Sequence, residues 1–98
     1  MDITVEELKQ RLDAGEEFNF LDVREEYEYE EDNLGALLIP LGELPDRLEE
    51  IEGWKEQEVV VHCRSGARSG RAKAFLEAQG FANVRNVLGG ILAYNDLD

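Results

Sequence analysis

The segment Glu58-Val59-Val60-Val61-His62-Cys63-Arg64-Ser65-Gly66-Ala67-Arg68-Ser69-Gly70-Arg71 passes from strand to turn to helix without a break. Its three consecutive valines, Val59 to Val61, give the strongest strand signal in the chain. β-Branched side chains fit a pleated sheet and lose rotamer freedom in a helix. The strand signal ends at Cys63, and Gly66 marks a tight loop. From Ser69 to Gln79 the pattern turns helical, and Gly80 stops it, as glycine commonly does at a helix C-terminus.

The rest of the chain repeats this alternation. Thr4 to Ala14 reads as a helix, with Thr4 and Glu7 placed for a capping box and Gly15 as its stop. Phe18 to Val23 reads as a strand, and Glu25 to Glu31 as a short helix. Ala36-Leu37-Leu38-Ile39, ended by Pro40, reads as a strand buried on both faces. Glu43 to Ile51 reads as a helix that tolerates Pro45 in its first turn. Asn83 to Val87 is a last short strand, and Gly89-Gly90 opens a helix through Tyr94. The order predicts an α/β fold of three layers, a mainly parallel central sheet flanked by helices.

With 98 residues, of which 43% are hydrophobic, residues 1–98 are expected to form one globular domain. The net charge of −13 argues against nucleic acid and anionic membranes as partners, since phosphate binding needs clustered Lys and Arg. No apolar run approaches the ~20 residues that span a bilayer. The start, Met1 to Glu7, lacks the basic and apolar regions of a signal peptide. One cysteine excludes an internal disulfide and makes a cytoplasmic location the expectation. No cofactor or metal motif is present in the sequence.

The charge is uneven. Residues 1–58 hold 20 acids and 5 bases, whereas residues 59–98 hold 3 acids and 5 bases. Arg64, Arg68, Arg71 and Lys73 cluster just after Cys63, with no acid between Val59 and Leu76. A small anion is therefore expected to meet a positive site there. Arg71 and Lys73 also fit the solvated face of a helix. A lone cysteine is ordinarily a small buried hydrophobe. Here it stands between a strand end, a glycine loop and a helix N-terminus. Loop amides and the helix dipole favour an anion, which lowers a thiol pKa and yields the reactive thiolate. His62 points to the opposite face and is expected to be neutral and satisfied. Arg24 after Asp22 reads as a structural ion-pair residue, and Trp54 as a packing residue. The acidic run Glu25 to Asp32 reads as solvated surface, with docking of a basic partner as the alternative.

The chain resembles a single-domain rhodanese (thiosulfate sulfurtransferase-like) module over nearly its whole length. The resemblance rests on Leu21-Asp22-Val23-Arg24-Glu25, Gly35 to Leu41, Val59 to Ser69, Gly80 to Val84 and Leu88-Gly89-Gly90-Ile91-Leu92-Ala93-Tyr94. It implies that the Cys63 thiolate takes a sulfane sulfur from thiosulfate or a similar small anionic donor. The resulting persulfide passes it to a thiophilic acceptor: cyanide, a thiol or a sulfur-carrier protein. By position, the backbone of Arg64, Ser65, Gly66, Ala67 and Arg68 would cradle the persulfide. The chain departs from the family pattern at Glu31-Asp32-Asn33-Leu34-Gly35-Ala36, where many members carry a histidine usually taken as structural. Tyr94 stands where many have tryptophan. The wording from Asn33 to Leu44 is similar to rhodanese domains found with molybdopterin- and thiamine-type adenylyltransferases, which pass sulfur to a small carrier protein.

Two other functions compete. Related cysteine phosphatases and arsenate reductases place an arginine after five intervening residues, but Ser69 holds that position here and Arg68 falls one residue short. A shorter loop favours a sulfur atom over a phosphoryl group. A non-catalytic binding module is the second alternative; such domains commonly lose the cysteine, and this chain keeps it.

Overall fold

A computed structural model describes residues 1–97. Four parallel strands form one sheet in the order β2-β1-β3-β4. They are β1 (Asn19–Asp22), β2 (Leu37–Leu38), β3 (Glu58–His62) and β4 (Asn83–Asn86). The helices are α1 (Val5–Asp13), α2 (Glu26–Glu31), α3 (Ala67–Ala78) and α4 (Gly90–Asn95). This is the predicted α/β architecture. Among the described residues, no helix is long and apolar enough to cross a membrane.

Strand alternation builds two cores. Val59, Val61 and Cys63 face one layer with Leu21, Val23, Ala72 and Leu76. Val60 faces the other with Phe20, Ile3, Leu8 and Val87. Each fully buried Leu, Ile or Val contributes roughly 1.5–3 kcal/mol relative to an exposed one. The paired cores therefore anchor β3 on both sides and fix where its C-terminal end lies. Trp54 packs against the first core, as its sequence context predicted, and Tyr94 packs against the second.

Three local expectations change. Ala36 to Ile39 forms only the two-residue edge strand β2, and Leu37 is 40% exposed. The run lies at the sheet edge, where only β1 pairs with it; Ala36 and Ile39 at its ends are buried, one in each core, and Leu37 between them is the exposed residue. Glu43 to Ile51 is part of a longer 3-10 segment, Leu41–Trp54, interrupted at Arg47 (φ −122°). Its inward residues Leu41, Leu44, Leu48, Ile51 and Trp54 recur mostly every third position, which matches three residues per turn. At α1, Thr4 Oγ1 accepts the Glu7 amide at 3.1 Å. The Glu7 carboxylate does not complete the capping box, because Arg85 holds it at 3.2 Å.

The segment that lacks the usual histidine is stitched by Asn33. Its Oδ1 accepts the Gly35 amide at 2.9 Å, and its Nδ2 donates to the Tyr29 carbonyl at 3.1 Å.

Candidate active site around Cys63

Cys63 lies one residue past the C-terminal end of the interior strand β3. Ligands in open α/β sheets bind beyond such strand ends. The chain then turns through Gly66, which has φ +106° and serves as the N-cap of α3 with no capping side chain. That leaves the first amides of α3 without intrahelical acceptors. The Cys63 sulfur takes their place. Gly66 N donates to Sγ at 3.1 Å, Ser69 N at 3.3 Å, and Ser69 Oγ lies 3.3 Å away. The sulfur thus caps the helix, and the helix dipole favours negative charge on it.

Two forces act on the thiol. Burial pushes its pKa up, since only 1% of the residue is exposed. Hydrogen bonds from the Ser69 hydroxyl and from the Ser69, Gly66 and Ser65 amides pull it down and prevail, so the pKa lies below the ordinary cysteine value. Ser69 was missed as a sulfur ligand by sequence reasoning. Its signal was available: as the third residue of a helix capped at Gly66, its amide and side chain face the capping atom. Its one hydroxyl proton is shared between Sγ and Asn86 Oδ1, to which Oγ donates at 2.5 Å, while Asn86 Nδ2 donates to the Gly66 carbonyl at 3.3 Å. A Ser69→Ala variant is expected to raise the Cys63 pKa. The pH dependence of iodoacetamide alkylation measures this; a midpoint that stays put or falls would contradict it.

The start of the loop is clamped from behind. Ile91 N donates to the Cys63 carbonyl at 2.9 Å, and Leu92 N to the Arg64 carbonyl at 3.1 Å. This close approach explains Gly90. With φ +61°, an added Cβ would sit 2.6 Å from the Cys63 carbonyl oxygen and collide with the Arg64 carbonyl.

Beside the loop, Asp22 and Arg24 form a buried pair. Arg24 donates from its backbone amide, Nε and Nη2 to the Asp22 carboxylate, with the shortest contact at 2.8 Å. Nη2 also reaches the Asp32 carbonyl at 2.8 Å. Arg24 is therefore structural, and it fastens β1 to the end of α2. His62 is fully buried on the face away from Cys63. Burial holds its pKa below the usual 6.5, which keeps the ring neutral near pH 7. A depressed folded-state pKa gives stability that is present above about pH 6.5 and lost as the pH falls through the folded pKa. The expectation of a satisfied histidine holds for one nitrogen only: Nδ1 lies 3.3 Å from the Cys63 carbonyl oxygen, whereas Nε2 lies 3.5 Å from Asp22 Oδ2 and makes no hydrogen bond among the described residues.

The positive cluster is also altered by folding. The Arg68 guanidinium is held bidentately by Glu28, at 2.7 and 2.9 Å. Lys73 pairs with Asp2 at 2.7 Å. Arg64 and Arg71 are exposed and make no ion pair among the described residues. Of the loop residues expected at the site, Ser65 and Gly66 turn amides to the sulfur. Ala67 and Arg68 form the first turn of α3. Arg64 lines a neighbouring groove.

Known proteins resemble this chain in sequence and in fold. The Rhodanese-like domain model matches residues 4–97. A sulfurtransferase of Allochromatium vinosum is 40% identical over 94 residues, which cover 95% of this chain and 86% of that protein. The YrkF protein of Bacillus subtilis is 41% identical over 91 residues, covering 92% of this chain; the chain spans about half, 48%, of its length. Among solved structures, a rhodanese-like domain protein from Staphylococcus aureus superposes with a TM-score of 0.84 at 33% identity, covering 96% of this chain and 91% of that one.

Proposed function

Because the chain belongs to the rhodanese-like domain family, whose relatives here include sulfurtransferases, we propose that it carries sulfane sulfur as a persulfide on Cys63. The observation that carries this reading is the set of amide and hydroxyl donors converging on Sγ. These donors stabilise a thiolate before reaction and an anionic persulfide after it.

With thiosulfate, the thiolate attacks the outer sulfur. A Cys63 S–S bond forms, the donor S–S bond breaks, and its electron pair leaves with sulfite. With cyanide as acceptor, the carbon attacks the outer persulfide sulfur. Thiocyanate departs and the bonding pair returns to Sγ. Both steps balance without a metal or redox cofactor. The loop residues Arg64, Ser65, Gly66, Ala67 and Arg68 surround the incoming sulfur, with Ser69 added as a direct donor. A thiol or a sulfur-carrier protein would serve as acceptor by the same attack. A free thiol at this position works where it stays reduced, which suits the cytoplasm.

Thiocyanate production from thiosulfate and cyanide tests the reading. Catalytic turnover with release of sulfite is the expected result. No turnover with thiosulfate or with an organic persulfide would overturn it.

A further inference from the structure

We propose that Glu28 is a specificity-determining residue that turns the site against dianionic sulfur donors, favouring a persulfide that carries no additional anionic group. This deepens the sulfur-transfer reading and rests on it. Sequence alone sets Arg64 and Arg68 beside Cys63 as fixed charges for an oxyanion. The fold brings in a carboxylate from 40 residues away. Both Glu28 oxygens are on the Arg68 guanidinium, at 2.7 and 2.9 Å, and Glu28 Oε1 also accepts the Glu25 amide at 2.9 Å. The Arg68 fork is occupied and its charge is matched, so it offers neither bidentate recognition nor net attraction to a second anion.

The groove beside the loop points the same way. Its volume is about 190 Å³, and Arg24, Glu28, Glu31, Asp32, Arg64 and Leu92 are among its lining residues. With Arg24 held by Asp22 and Glu28 held by Arg68, the carboxylates of Glu31 and Asp32 and the apolar Ile91 and Leu92 share the groove with Arg64, whose guanidinium makes no ion pair among the described residues. Loading from thiosulfate gathers three negative charges, one from the thiolate and two from the donor. Loading from an organic persulfide with no other charged group runs through its protonated form, RS–SH, and gathers one: the thiolate attacks the outer sulfur, the donor S–S bond breaks, and RS⁻ leaves with the electron pair. Coulomb repulsion from an added carboxylate weighs more on the first reaction.

The test compares single-turnover loading of Cys63 from thiosulfate and from a neutral alkyl persulfide in the wild type and in Glu28→Gln. The ratio of thiosulfate to persulfide rates is expected to rise roughly three- to tenfold in Glu28→Gln, and to return toward the wild-type value in Glu28→Gln/Arg68→Gln. A purely structural role would lower both rates together. An unchanged or reduced ratio overturns the proposal. Should Glu28→Gln not fold, the wild type supplies a second reading. On a net-negative body with Arg68 neutralised, thiosulfate loading should hold or rise as salt increases, whereas a several-fold fall would overturn the assignment. Loading of the wild type by neither donor would instead sink the sulfur-transfer reading itself.

Discussion

Replacing Cys63 by serine is expected to abolish sulfur loading and leave the fold in place. A serine hydroxyl stays protonated under conditions where the hydrogen-bonded thiol ionises, and the weaker nucleophile cannot store a sulfane sulfur. The loss expected is on the order of 10⁴-fold or more in turnover. The fold should survive because the substitution is nearly isosteric. The Gly66 and Ser69 amides, now at 3.1 and 3.3 Å from sulfur, can serve a hydroxyl oxygen in the same place. Thermal unfolding should therefore move little, by about 1 kcal/mol or less. Turnover retained in a folded Cys63→Ser protein would remove this residue as the sulfur carrier.

The largest expected loss of stability is in Arg24→Ala. The Asp22 carboxylate is fully buried and receives its charged hydrogen bonds from Arg24. Removing one member of a buried pair leaves the other charge uncompensated, which costs about 3–5 kcal/mol. The same change frees the Asp32 carbonyl at the end of α2. Against a total stability of roughly 5–15 kcal/mol, this is enough to place the variant near unfolding. Arg24→Lys should recover only part of it, because one ammonium cannot reproduce the planar fork. Urea denaturation measures the difference; a loss below about 1 kcal/mol would show that water or another cation reaches Asp22.

These two residues were legible in the sequence for the same reason: their partners are near in the chain. The strand–loop–helix from Glu58 to Ala78 is one local unit, so β propensity and Gly66 placed its strand and turn, and helical spacing found its helix from Ser69, two residues after the start at Ala67. Arg24 sits two residues from Asp22. What stayed hidden depends on distant pairing. Glu28 reaches Arg68 across 40 residues and Asp2 reaches Lys73 across 71, and neither leaves a local pattern. The apparent positive patch after Cys63 was therefore half cancelled by acids from the other part of the chain. Ala36 to Ile39 misled for a related reason. An apolar tetrapeptide has the same composition at a sheet edge as in its centre, and only its neighbours decide. Ser69 was visible only as a residue in the loop-length comparison, because its role follows from Gly66 being the helix cap.

Intact-mass spectrometry of the wild-type protein after incubation with thiosulfate reads the persulfide directly. The expected result is a gain of one sulfur atom that is absent in Cys63→Ser and is removed by cyanide. A mass unchanged after both thiosulfate and a neutral alkyl persulfide would contradict sulfur carriage by Cys63.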